Sequence, residues 1–153
     1  MNQVNKLLLN FMENKFILYS LILGFFGFLD SLYLTILHYR NIVPPCTIHG
    51  CEVVLTSTYS MIGPIPIALM GVIFYVAVII LCLIVLIEGK KQLLKFFHFT
   101  VLVGFLFSVV LFLIQALIIK SFCQYCLLSE VIATGLLFLS LLKLKQDRSE
   151  AKS

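Results

Sequence analysis

Charged residues are scarce in this sequence. They make up 12% of its 153 residues, and hydrophobic residues reach 61%. An ordinary globular domain has about 25% charged and about 45–50% apolar residues, so the composition excludes a soluble domain. The apolar residues are concentrated in four long runs, at approximately residues 16–38, 65–87, 96–119 and 122–142.

Each apolar run is long enough to cross a membrane. A helix of about 20 residues spans a hydrocarbon core of about 30 Å, and a chain inside lipid must be helical to satisfy its own backbone hydrogen bonds. The first run is too long, and its flanks are wrong, for a cleaved signal peptide. The sequence therefore predicts an all-α integral membrane protein. We expect one domain over residues 1–153, a bundle of four transmembrane helices with an outer loop at about residues 39–64.

Basic residues are nearly missing from two of the connections between these runs. Nine of the eleven Lys and Arg residues lie before the first run, between the second and third, or after the fourth, whereas Arg40 and Lys120 fall in the other two connections. The positive-inside rule then predicts that both termini and the middle loop are cytoplasmic. Residues 39–64 become an extracytoplasmic cap loop. The positive net charge needs no nucleic acid partner to explain it.

Cysteines are few, but four of the five form two pairs at the same predicted face. Cys46 and Cys51 (CTIHGC) lie in the outer loop, and Cys123 and Cys126 (CQYC) open the fourth run. Disulfides form and persist on an oxidising outer face. A helix N-terminus lowers the pKa of a cysteine such as Cys123, and Cys126 lies one turn deeper, at the edge of the hydrocarbon. The pairs therefore predict a thiol–disulfide relay that reaches an oxidant dissolved in the lipid.

The loop pair differs from the helix pair. Cys46 and Cys51 are separated by four residues that include Gly50, so a small exposed disulfide is feasible, and exposed disulfides are the exchanging type. A flexible loop would present Cys46 to a soluble protein and bring Cys51 back to Cys123. His49 either stabilises a neighbouring thiolate or is merely solvated.

Two other interpretations of the four thiols stay open. They could be structural staples, although four well-formed spans hardly need them. They could ligate zinc through all four sulfurs, although an oxidising face tends to consume thiols as disulfides; we assign no metal ligands. The fifth cysteine, Cys82, lies about 26 Å along its helix from Ile65, and we expect an inert core residue.

Polar residues inside the runs are candidates for function. Asp30 lies about 21 Å from the inner end of its helix; an ionisable residue in a span is either functional or a structural contact to the loop. Gln115, near the outer end of its run, is expected to pack or cap. We also expect a short helix at about residues 52–57, with Pro64 and Pro66 in the first turn of the second helix. The charged tail, residues 143–153, is expected to fray.

Together these motifs resemble the vitamin K epoxide reductase family in its compact bacterial form. The resemblance runs from DSLYLT at residues 30–35 to CQYCLLSE at residues 123–130. Its centre is the loop cysteines, Ser57 six residues after Cys51, and the segment GPIPIALMG at residues 63–71. The resemblance implies a four-helix bundle around a quinone, capped by the outer loop.

The resemblance also implies roles for individual residues. Cys46 would exchange with a soluble thioredoxin-like, DsbA-like protein, and Cys51 would pass electrons to Cys123. Cys126 would be the sulfur beside the quinone, and Ser57 would supply the hydroxyl that supports the loop and the active site. The implied activity oxidises the partner and reduces a ubiquinone, menaquinone or vitamin K type of quinone, which drives disulfide formation. The implied location is the bacterial inner membrane, with the active site at the extracytoplasmic face.

The sequence departs from the family pattern at Glu130, where the animal enzymes have an aromatic residue that contributes to the quinone pocket. Glu130 follows Cys126 by one helical turn and shares its face. It either contacts a quinone oxygen or makes a structural polar contact. We take Glu130, Asp30 and Cys126 as candidate quinone contacts. Many members carry a fused thioredoxin-like domain; here the partner is expected to be a separate protein.

Two rival interpretations have distinct signatures. The other quinone-coupled membrane oxidase, the DsbB type, also has four helices and two outer cysteine pairs, but its CxxC comes first. In this sequence the CxxC at residues 123–126 comes last. The rival from another class is a non-catalytic membrane protein whose four outer cysteines form a structural zinc site or disulfide staples.

Overall fold

The fold is a bundle of four long helices, seen in a computed structural model that describes residues 3–47, 50–88 and 91–150. The long helices are α1, α3, α4 and α5, and α2 is a short helix in the loop after α1. Their bounds are Gln3–Tyr39 for α1, Cys51–Leu55 for α2, Ile67–Glu88 for α3, Lys91–Leu113 for α4 and Gln124–Glu150 for α5. A π-helical segment, Ile114–Ile119, continues α4.

Four helical segments are long and apolar enough to cross a membrane: Lys15–Tyr39, Ile67–Glu88, Gln92–Ile119 and Gln124–Ser149. In the bundle α1 packs against α3 and α5, and α4 packs against the same two helices. Its core contains fully buried residues such as Tyr75, Val78, Phe97 and Leu136. Large apolar side chains on the outer faces remain exposed, which suits a surface that lipid covers. The structure confirms the predicted all-α membrane bundle.

The helices extend beyond the predicted apolar runs. The first long helix begins at Gln3 rather than near residue 16, and α4 begins at Lys91 rather than near residue 96. The expectation that the tail frays from residue 143 is wrong as far as Glu150, where α5 ends. Lys143 is buried and its Nζ lies 3.1 Å from Asp147 Oδ1, one turn later. Hydropathy marks the part of a helix inside lipid, but ion pairs of this kind extend it into water.

The loop between α1 and α3 has structure of its own. After α2 come a 3₁₀ turn and two short strands that pair antiparallel as a hairpin. The turn is Thr58–Ser60, β1 is Met61–Ile62 and β2 is Ile65–Pro66, with Ile62 opposite Ile65.

Pro64 and Pro66 are not in the first turn of α3, so that expectation is wrong. Pro66 is a buried residue of β2, Pro64 lies in the hairpin turn, and the helix begins at Ile67. The hairpin is possible because Gly63 adopts the positive φ of 61° that the turn requires. Ile65 and Pro66 therefore pair with β1 instead of forming the first turn of α3.

Candidate functional site

The loop cysteines are joined to each other. Cys46 and Cys51 form a disulfide with Cα atoms 6.2 Å apart. Cys46 is half-buried, whereas Cys51, the first residue of α2, is only 1% exposed. One sulfur of the disulfide therefore lies nearer the surface than the other. His49, between them, lies outside the described residues.

The two cysteine pairs meet at one end of the bundle, which we call the cysteine end. Cys51 and Cys123, which is fully buried, belong to the same small cluster, with Cys46 and Cys126 packed against it. The buried cysteine Cys82 belongs instead to the main core of the bundle, as expected. The fold therefore brings together the four cysteines that the sequence paired, and leaves the fifth apart.

Polar contacts tie the cysteine loop to the start of α5. The backbone N–H and the hydroxyl of Thr47 both donate to Gln124 Oε1, at 3.1 and 2.7 Å. The Tyr125 hydroxyl donates to the carbonyl oxygen of Pro45 at 3.1 Å. Gln124 and Tyr125 are the two residues between Cys123 and Cys126. The two residues between the helix cysteines therefore hold the segment that contains the loop disulfide.

Gly50 allows the loop backbone to approach the segment just before α5 closely. Its φ is 149°, and a Cβ atom there would lie 2.8 Å from the carbonyl oxygen of Phe122. Its carbonyl also accepts the first hydrogen bond of α2, from the N–H of Val54. A side chain at this position would push Cys51 away from Cys123.

Cys123 is the more acidic thiol of the helix pair. It precedes the first residue of α5, and its carbonyl accepts the N–H of Leu127 at 2.9 Å. A hydrogen bond from the Cys126 thiol, with smaller contributions from backbone hydrogen bonds of Cys126 and Tyr125, lowers the pKa of Cys123 from 9.0 to about 7 against the opposing effect of burial. A thiolate of this kind is the nucleophile and leaving group that disulfide exchange requires.

The Cys123 thiolate is expected to form as the pH rises through about 7, rather than through the ordinary value of 9.0. The ultraviolet absorbance of thiolates in reduced protein measures this, as the difference between the wild type and Cys123→Ala. In Cys126→Ala the midpoint is expected to move up toward the ordinary value, because the hydrogen bond from Cys126 is lost. Equal midpoints in the presence and absence of Cys126 would contradict this assignment.

A cavity of about 1140 Å³ lies beside the helix cysteines. It is lined by all four long helices and by the cap loop, and it is partly open. Of the four paired cysteines, Cys126 alone is in its wall. The wall also contains Asp30, Glu130 and Ser57, so the cavity unites every candidate quinone contact with the supporting serine. Most of the remaining lining is apolar, as in sites for lipid-soluble ligands.

Gln115 links the cavity to the CxxC segment. Its side chain is 3% exposed; Oε1 accepts the backbone N–H of Cys123 at 3.1 Å, and Nε2 donates to Glu130 Oε1 at 2.9 Å. The backbone N–H can only donate, which fixes the orientation of the amide. Gln115 therefore caps the start of α5, as expected. Its contact with Glu130 was missed, although a lone amide in an apolar run was the available signal.

The supporting residues hold the walls of the site. Ser57 Oγ donates to the carbonyl of Val54 at 2.7 Å and so closes the end of α2. The Tyr75 hydroxyl is 3.0 Å from the carbonyl and 2.8 Å from the hydroxyl of Ser129, between Cys126 and Glu130 on α5. Tyr75 was not singled out in the sequence, because a tyrosine in an apolar run gives no signal of its partner.

Comparison with known proteins finds one family that the chain matches. The model of the vitamin K epoxide reductase family matches residues 18–141, which is most of the chain. A search of curated proteins finds no match. The match covers all of α3 and α4, most of α1 and α5, the cap loop and all the cysteines. The chain belongs to the vitamin K epoxide reductase family.

Proposed function

We propose that this protein takes electrons from a soluble thioredoxin-like, DsbA-like protein and delivers them to a membrane quinone, which drives disulfide formation. Its family consists of membrane oxidoreductases associated with disulfides, quinones and thioredoxin-like partners. One observation carries the proposal: a continuous series of sulfurs, in which the half-buried Cys46 is bonded to Cys51, Cys51 shares a buried cluster with Cys123, and Cys126 reaches the cavity.

The first exchange takes place at the loop disulfide. A thiolate of the partner attacks Cys46, the more accessible sulfur, and forms a mixed disulfide while the bond to Cys51 breaks. The second thiol of the partner then attacks this mixed disulfide. The partner leaves oxidised, and Cys46 and Cys51 are left as thiols with the two electrons.

The internal exchange passes those electrons to the helix pair. The Cys51 thiolate attacks Cys123 in an oxidised Cys123–Cys126 pair, and Cys126 leaves as a thiolate. Cys46 then attacks Cys51, which restores the loop disulfide and leaves Cys123 reduced.

The last exchange takes place in the cavity. A quinone of the ubiquinone, menaquinone or vitamin K type accepts two electrons and two protons as the helix dithiol becomes a disulfide. The cavity fits such a molecule because it has room for a substituted ring, a mostly apolar wall, and polar groups at Cys126, Asp30 and Glu130. Ser57 supports the site by closing α2, which begins with Cys51.

The proposal includes the position of the protein in the cell. A single domain over residues 1–153 crosses the bacterial inner membrane several times, with both termini in the cytoplasm and the cysteine end extracytoplasmic. The distribution of Lys and Arg supports this orientation. So does the chemistry, because loop disulfides persist on an oxidising face.

Trapping of covalent intermediates tests the order of the relay in full-length protein in membranes. With a thioredoxin-like partner whose one remaining active-site cysteine is activated as a mixed disulfide with thionitrobenzoate, Cys51→Ala is expected to accumulate a mixed disulfide on Cys46, because the Cys46 thiolate displaces thionitrobenzoate and no Cys51 is present to resolve the product. Cys46→Ala is expected instead to accumulate an internal bond between Cys51 and Cys123, since both belong to one buried cluster. Mass spectrometry of the trapped species separates the two. Identical patterns in both variants would contradict the assigned roles.

A further inference from the structure

The cavity contains a carboxyl group with one buried oxygen atom that no described residue engages. Asp30 is 8% exposed, lies in the half of its membrane-spanning helix nearer the cysteine end, and lines the cavity together with Cys126. Its Oδ2 atom is buried and has no hydrogen-bond partner among the described residues. A buried polar atom without a partner is costly, so this atom points to a ligand that supplies the partner.

The second carboxyl group of the cavity is in a different state. Glu130 Oε1 accepts a hydrogen bond from Gln115, whose amide is held in turn by the N–H of Cys123. Glu130 is therefore fixed in place from the cysteine side of the site. Asp30 lies on α1, a different helix from the one that carries Cys126. The two carboxyl groups thus serve the cavity from different walls, one engaged and one free.

The proton balance of the last exchange requires a donor. Reduction of a quinone consumes two electrons and two protons, and the helix dithiol supplies both electrons as its sulfur–sulfur bond forms. Near neutral pH much of Cys123 is a thiolate, because its pKa is about 7, and its proton has already gone to water. Cys126 then supplies one proton, and the other has to come from water or from another group that lines the cavity.

We propose that Asp30 donates this second proton to an oxygen of the quinone, an inference that rests on the proposed function. The Cys126 S–H bond and the Asp30 O–H bond break, and two O–H bonds and the disulfide form. Quinone is reduced by two electrons, the dithiol is oxidised, and Asp30 is left as a carboxylate. Water that enters the partly open cavity returns its proton.

Further polar residues line the cavity between Asp30 and the cysteine end. His38 lies eight residues further along α1, and Asn41 follows the end of that helix. Leu34 and Leu37 line the wall between Asp30 and His38, so the proton reaches Asp30 through water in the cavity rather than along a row of side chains.

The test separates proton donation from quinone binding. Asp30→Asn keeps the shape and a hydrogen-bond donor but has no acidic proton. Quinone binding is measured in a Cys82→Ala, Cys123→Ala background, which cannot turn over and in which Cys126 is the remaining free thiol. A maleimide modifies Cys126, and a bound quinone slows that modification. The quinone is a fully substituted short-chain benzoquinone. Turnover is measured as thiol-dependent reduction of the same quinone by protein with all its cysteines. Asp147→Asn, the same change at the far end of α5, is the matched control.

Asp30→Asn is expected to leave the half-protecting quinone concentration within about twofold and to lower turnover about a hundredfold, the usual range for loss of a general acid. If Asp30→Asn turns over as fast as the wild type, the inference is overturned. It is also overturned if weaker quinone binding by the variant, measured as lost protection of Cys126, accounts for the whole loss of turnover. Both results leave the proposed function intact. A wild-type protein that shows neither protection nor quinone reduction would overturn both. If the asparagine variant does not accumulate in membranes, Asp30→Ser is measured under the same expectations.

Discussion

Cys126→Ala is expected to lower steady-state quinone reduction by at least about a thousandfold, because no other group can take over a covalent exchange step. The loop disulfide of this variant remains intact and can still oxidise the partner once. Partner oxidation is therefore expected to stop after one equivalent per protein, while no hydroquinone appears. Titration of the partner's thiols, together with the absorbance of the quinone, measures both quantities.

Cys82→Ala is the matched control for this experiment. Cys82 is also a buried free cysteine, but it lies in the main core of the bundle, among residues such as Val78 and Val85. The same chemical change there is expected to leave turnover within about twofold and to cost some stability through a small cavity. Continued turnover in Cys126→Ala would contradict the role given to Cys126. An equal loss of turnover in Cys82→Ala would contradict the assignment of Cys82 as an inert core residue.

Gly50→Ala is expected to slow the transfer between Cys51 and Cys123 by about 10- to 100-fold, since small displacements of reacting groups have effects of this size. The new Cβ would meet the carbonyl oxygen of Phe122 at 2.8 Å, so the loop has to move away from the start of α5. In the proposed relay the partner reacts with Cys46, on the other side of the disulfide, so the KM for the partner is expected to stay the same while kcat falls. Steady-state kinetics at varied partner concentration measure the two separately.

Gly63→Ala separates this close approach from backbone strain in general. Gly63 also has a positive φ, of 61°, in the same loop, but a Cβ there would meet nothing within 4 Å. Its substitution carries the strain of an L residue in that region, about 1–2 kcal/mol, without displacing Cys51. Equal effects of the two substitutions on kcat would mean that the approach to Phe122 does not control the relay.

The spans and the pairing of the cysteines were predictable because both depend on local sequence. Hydropathy locates each span, and the number of spans between Cys51 and Cys123 is even, so both pairs fall at one end of the bundle. The same rule leaves Cys82 inside the core. The membrane thus simplifies the prediction, since it limits the chain to helices whose ends can be counted.

The contacts that complete the site were not predictable because they join distant parts of the chain. Thr47 meets Gln124 across 77 residues and Tyr125 meets Pro45 across 80 residues. The π-helical segment is an irregularity that hydropathy does not mark, and it contains Gln115, which contacts both Glu130 and Cys123. The hairpin and the start of α3 were missed for a related reason. Cross-strand pairing competes with helix formation at Pro64 and Pro66, and the pairing depends on residues of the other strand.

The measurement that tests the relay most directly is thiol-dependent quinone reduction by the purified protein in lipid vesicles, with metal content determined on the same sample. We expect one hydroquinone for each disulfide formed in the partner, and no stoichiometric zinc. The connected cysteines of the loop, the buried cluster and the cavity are the basis of that prediction. Zinc bound at about one ion per chain in tetrahedral thiolate coordination, without quinone reduction, would contradict it.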